Sequence, residues 1–224
     1  MRTVEDVGPY KKCVGGRVYM TLGDIKAAAL KLMGFEEHID AESVALYEDD
    51  DDWGALIRPM WSAVNRCLSD LETKRVLPLQ RASLPAPAGK GTWRRFRYDG
   101  IPGLFEVARV VVETNYHVDD DHPFLLEEGG TLRVNDYDDS ANYAVLYRPK
   151  LPRLTVNSGY DTEIPLPDAL AEAVPYFVKS EVYRVDEPDE AAEARNLYEA
   201  AIEQYAALAE ISRQGTVEAV YGMM

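Results

Sequence analysis

The pair His117 and His122, with Asp119, Asp120 and Asp121 between them, comes closest in residue type and spacing to a cation site. Imidazole and carboxylate both ligate divalent metals, but a transition-metal site needs three or four converging donors. The third histidine, His38, and the cysteines Cys13 and Cys67 are far off in sequence, so the segment reads as a solvated acidic loop. Two other acidic runs fail the calcium-loop pattern, which requires a bidentate Glu at its last position. Counting from Asp49 puts Trp53 fifth and Met60 twelfth; counting from Asp136 puts Ala141 sixth and Tyr147 twelfth. No Gly-x-Ser-x-Gly elbow is present to expose a nucleophilic serine. Gly89-Lys90-Gly91-Thr92 has the composition of a phosphate cradle, yet a strand pattern follows where a helix N-terminus is required. These motifs predict no catalytic residue, no metal and no cofactor.

Composition narrows the classes further. Lys and Arg number 24 against 39 Asp and Glu, a net charge of −15. A field of that sign repels phosphate backbones at long range, which disfavours nucleic acid as a general surface partner. The basic stretch Arg94-Arg95-Phe96-Arg97 is a local exception and reads as a strand with outward charges. With 46% hydrophobic residues the chain can bury a sizeable core. Two cysteines are too few for a disulfide scaffold, and Cys67 falls on the apolar face of a helical pattern. No apolar run suits a signal peptide or a membrane helix, so the expectation is a soluble protein of a reducing cytoplasm.

The elements follow from periodicity. Residues 1–20 are broken by Gly8-Pro9 and Gly15-Gly16 and read as an N-terminal arm. Thr21-Leu22-Gly23-Asp24 is a capping-box pattern, with Ile25, Ala28, Ala29, Leu32 and Met33 behind it at helical spacing and Gly34 as the stop. A short helix over about 41–48 leads into Asp49–Asp52. A longer helix over about 52–77 carries Ile57, Met60, Trp61, Val64, Cys67, Leu68 and Leu71 as one stripe. Pro59 predicts either a kink or a fresh start in that helix. From 91 to 157 the period becomes extended: Trp93–Tyr98, Phe105–Thr114, Thr131–Val134, Tyr143–Tyr147 and Arg153–Val156 predict strands. Helical spacing returns at Leu170, Val174, Phe177, Val178 and Val182, with Pro175 expected to bend it. A last helix over about 189–212 carries Ala194, Leu197, Ala201, Ile202, Tyr205 and Leu208, and should form an antiparallel hairpin with the helix before it.

The predicted fold class is α+β: a helical bundle body of about four to five helices, an inserted small antiparallel β-sheet or sandwich, and an extended C-terminal tail. The expected boundaries are 21–90 and 158–212 for the body, 91–157 for the insertion and 213–224 for the tail. Fourteen tyrosines outnumber five phenylalanines. A ring with a polar tip suits protein-contacting surfaces as well as core edges. Tyr198 and Tyr205, with Val217, Val220, Tyr221, Met223 and Met224 of the tail, are the candidate protein-interface residues.

One run of segments resembles a known family. The strand Ala144–Tyr147 ends in Arg148-Pro149; Glu163-Ile164-Pro165-Leu166-Pro167-Asp168 follows, then a helix with an internal Pro175-Tyr176. After it come the break Asp186-Glu187-Pro188 and an Ala-rich helix from Ala191. This order, over most of residues 21–211, is similar to the head–tail connector, or adaptor, proteins of tailed bacteriophages. The resemblance implies a structural subunit and no enzyme: a homo-oligomeric ring, commonly twelvefold, that joins the portal protein to tail or stopper proteins. It further implies that the C-terminal tail docks on the portal or an adjacent subunit. DNA would only pass through the channel, and no membrane would be involved. The location implied is the neck or tail of the virion, with assembly in the bacterial host cytoplasm. Another ring protein of the tail or baseplate is the nearest alternative; a non-viral binding module or an enzyme of unfamiliar class lies further off.

Overall fold

The computed structural model describes residues 13–14, 17–18, 20–35, 39–85, 87, 93–113, 120–135 and 142–221. In chain order it begins with β1 (Cys13–Val14), β2 (Arg17–Val18), β3 (Met20–Thr21), α1 (Leu22–Leu32), α2 (Ala41–Glu48), α3 (Asp51–Ile57) and α4 (Met60–Thr73). The strands β4 (Gln80–Ser83), β5 (Arg94–Arg97), β6 (Leu104–Glu113), β7 (Asp120–Asp121), β8 (Phe124–Glu127), β9 (Thr131–Val134) and β10 (Asn142–Pro149) follow. The chain closes with β11 (Glu163–Ile164), α5 (Asp168–Ala171), α6 (Val174–Val182) and α7 (Pro188–Tyr221). It is an α+β protein of two compact units, one of Met1–Val76 with Pro152–Met224 and one of Leu77–Leu151.

In the helical unit, α1 starts where its cap dictates. The Thr21 hydroxyl accepts the Asp24 N–H at 3.1 Å, and Asp24 accepts the Thr21 N–H at 3.0 Å. Gly34 adopts φ +83°, the left-handed turn that ends the helix. The carbonyls freed at that end are met from α6: Lys179 Nζ donates to Leu32 O at 2.9 Å and the Tyr183 hydroxyl to Met33 O at 3.2 Å. α6 is the central helix, packed by α1, α4 and α7, and it buries Val174, Phe177 and Val178. Close approach at the α1 start needs a glycine: a Cβ on Gly23 would sit 2.8 Å from Ala41 Cβ.

Pro59 acts as the start of a new helix rather than a bend, being the N-cap of α4 after α3 ends at Ile57. Pro175 likewise takes the first turn of α6, where its missing N–H costs nothing, and α5 stands apart before it. The expected strand over Arg153–Val156 does not form. Asn65 of α4 instead holds that extended segment, donating to Leu154 O at 2.7 Å and accepting the Leu154 N–H at 2.8 Å. An Asn65→Ala variant is expected to lose about 2 kcal/mol by urea unfolding, two hydrogen bonds at roughly 1 kcal/mol each. A loss below the measurement error would contradict this clamp. The last helix also departs from expectation. α7 runs through Ser212-Arg213-Gln214-Gly215 to Tyr221, so the segment expected to be an extended tail has a helical backbone. One internal glycine costs a helix only about 1 kcal/mol, too little to break it.

The second unit packs two antiparallel sheets, of order β4-β10-β6-β7 and β5-β9-β8. Their shared core holds Phe96, Leu132 and Val134 from one sheet with Val107, Val110, Tyr143, Val145 and Tyr147 from the other. A register shift in the β6–β10 ladder leaves Ala108 unpaired. That extra residue lets Val107 and Val110, of opposite parity, both face the core. β4 lies in the proline-rich stretch that the sequence reading groups with the helical body; here it pairs with β10, Ala82 opposite Val145.

Candidate assembly surface

The groups that could do chemistry are occupied structurally. His117 lies outside the described residues. His122 sets its Nε2 against Asn135 O at 2.5 Å and its ring edge-on to Tyr143, with centroids 5.5 Å apart. Among the described residues no three His, Cys, Asp or Glu side chains gather to hold a metal. In the aspartate run, Asp49 is the C-cap of α2 and Asp50 accepts the Trp53 N–H at 3.3 Å. Buried Lys26 pairs with Glu48 at 3.2 Å; burial lowers its pKa, and Glu48 offsets part of that shift.

Tyr198 is central to the α4–α6–α7 packing and is fully buried. Its ring stacks edge-on to Phe177 with centroids 5.0 Å apart, and its hydroxyl donates to Asp70 at 2.7 Å. Lys74 pairs with Asp70 at 3.0 Å and with Glu199, while Arg195 lies 3.6 Å from Asp70 and 2.9 Å from Glu199. The Arg195 guanidinium also covers the Phe177 ring at 4.5 Å. This network was not visible in the sequence, because its partners are joined only by the packing of distant helices. It also corrects one assignment: Tyr198 is an internal anchor and offers no surface to a neighbour.

Cys67 sits beside the same hydroxyl, and burial pushes both the thiol and the phenol well above their usual pKa. Because the folded thiol holds its proton more tightly than the unfolded one, its contribution to stability is complete below pH 9 and declines above it. In a Cys13→Ser background, Cys67 is expected to react with a thiol reagent only at the rate of unfolding. Complete labelling of the folded protein within minutes would contradict its burial.

Beyond this anchor α7 changes character. Ala191, Ala194, Tyr198 and Ile202 are buried at helical spacing, but no side chain from Glu203 to Glu210 is. Leu197 and Leu208, three turns apart on one face, are 48% and 57% exposed. Tyr205 is half-buried. The backbone at Val217, Val220 and Tyr221 is helical, whereas Met223 and Met224 lie outside the described residues. At 1.5 Å per residue, α7 extends roughly 28 Å past Ile202. A shallow groove beside its N-terminal half is lined by Leu32, Tyr176, Lys179, Glu190, Ala194 and Leu197. No helix among the described residues is long and apolar enough to cross a membrane.

No curated protein matches the chain. A family model described as SU10 adaptor protein matches residues 20–220, from the paired strand β3 to the last turn of α7. The match spans the capped α1, both sheets and the whole α6–α7 hairpin, in the order seen in head–tail connectors. The chain therefore belongs to the SU10 adaptor protein family, a family of phage head–tail adaptors.

Proposed function

We propose that this adaptor is the subunit of a homo-oligomeric ring, twelvefold in the first expectation, that joins the portal to tail or stopper proteins and continues the DNA channel. The family match over residues 20–220 carries this reading. The long, unburied C-terminal part of α7 supports it. A helix that leaves its own core with exposed leucines has a face to bury elsewhere, and helix-in-groove docking is a common use for one. The portal is the proposed receiver of its end, residues 213–224, and the virion neck is the proposed location. The net charge of −15 suits a channel through which DNA slides without adhering. Cryo-electron microscopy of particles tests the reading. A symmetric ring of this chain at the neck, with the end of α7 on the portal, is the expected density. The chain found in the baseplate, or absent from particles, would contradict it.

A further inference from the structure

The three-stranded sheet β5-β9-β8 turns one side to the core and the other outward. Residues paired across strands share a face. Arg95, Arg133 and Leu125 therefore form one outward row, and Arg97, Thr131 and Glu127 the next. The side chains of Arg95 and Arg97 are 60% and 73% exposed, and Leu125 and Trp93 are 49% and 42% exposed. Arg133 lies 4.4 Å from the Trp93 ring centre, which places the indole on this same side. Glu127 holds Arg95 at 2.8 Å and Arg133 at 3.4 Å, and Asp99 pairs with Arg97. Arginines fixed in this way have little side-chain entropy left to lose on binding. Tryptophan and arginine together are the residues most often found at the energetic centre of protein interfaces.

The charge of the chain is unevenly divided. Leu77–Leu151 carries nine basic against eleven acidic residues, a net of −2, while the remainder carries fifteen against twenty-eight, a net of −13. The complement of an arginine-ringed apolar patch is thus found on the helical unit. On α2, Glu42, Leu46 and Asp49 fall at i, i+4 and i+7, one face of the helix. Leu46 is 77% exposed, and Glu42, Asp49 and Asp50 around it are exposed too. DNA fits the arginine face less well. Two carboxylates already offset its three guanidiniums, leaving too little charge for the several phosphate contacts that drive such binding. A phosphate backbone would also leave Leu125 and Trp93 uncovered.

We propose that the Trp93–Arg95–Arg97–Leu125 face of one copy docks on the Glu42–Leu46–Asp49 face of a second copy. The two patches differ, so the contact is head-to-tail and propagates into a closed ring when the rotation allows. The proposal rests on the ring reading above and names the surfaces that make it. The test is native mass spectrometry of the full chain, with circular dichroism as a check on folding. Arg95→Glu with Arg97→Glu is expected to cut the assembled fraction at least tenfold while leaving the fold intact. Adding Glu42→Lys and Asp49→Lys to that chain is expected to restore it. Unchanged assembly in the first variant would overturn the proposal, as would loss without rescue in the second. Intact rings whose particles hold less DNA would overturn it in favour of a DNA-facing role. A wild-type chain that forms no ring, alone or with its portal, would remove the ring reading and this contact with it.

Discussion

Removing Arg213–Met224 is expected to leave a folded protein that no longer binds its portal. The reasoning separates stability from docking. No described side chain after Ile202 on α7 is buried, so the truncated chain loses no core packing, and its melting temperature should stay within about 2 °C of the full chain. The removed segment holds Val217, Val220, Tyr221, Met223 and Met224, the apolar side chains available to fill a groove on a partner. Interface anchors of this kind are worth about 2 kcal/mol or more each. Losing two of them weakens binding by at least ~100-fold, since each 1.4 kcal/mol is a factor of ten. Pull-down of portal by the full and truncated chains measures this. Equal binding by both would show that the end of α7 does not dock there.

Replacing Tyr198 has the opposite signature, a large loss of stability. Tyr198→Ala removes a buried ring that packs on Phe177 and leaves Asp70 without the hydroxyl that donates to it. Large-to-small changes of an aromatic core residue cost about 3–5 kcal/mol. That is a substantial share of a domain stability of about 5–15 kcal/mol. Tyr198→Phe keeps the ring and loses one hydrogen bond, so about 1 kcal/mol is expected. Lys74 and Arg195 remain beside Asp70 in that variant. Urea unfolding of the two variants separates packing from hydrogen bonding. A Tyr198→Ala cost below about 1 kcal/mol would mean that the α4–α7 anchor is not built as described.

Features set by neighbouring residues were legible in the sequence. The Thr21–Asp24 box and Gly34 mark both ends of α1, because caps act over a few residues. The Val-rich β6 and the alternating Tyr143, Val145 and Tyr147 of β10 were readable for the same reason. Features that depend on distant partners were not. Arg153–Val156 has strand composition, yet a single side chain, Asn65, supplies the hydrogen bonds that a neighbouring strand would have given. β4 carries no hydrophobic run of its own and forms because β10 offers an edge. For the candidate surface, the apolar stripe of α7 was visible, but which of its residues turn inward was not. Tyr198 and Tyr205 lie seven positions apart on nearly the same face, and only the extent of α4 and α6 decides that the first is buried and the second half-buried. The outward arginines of β5 were recognised as a strand pattern, while their shared carboxylate Glu127 required the β8–β9–β5 pairing to be known.

The account turns on whether this chain assembles with itself at the portal. Native mass spectrometry of the chain mixed with its portal measures that directly. A species whose mass is that of the portal plus a symmetric multiple of the 25.1 kDa subunit is the predicted result. A chain that remains a 25.1 kDa monomer with the portal present would contradict it.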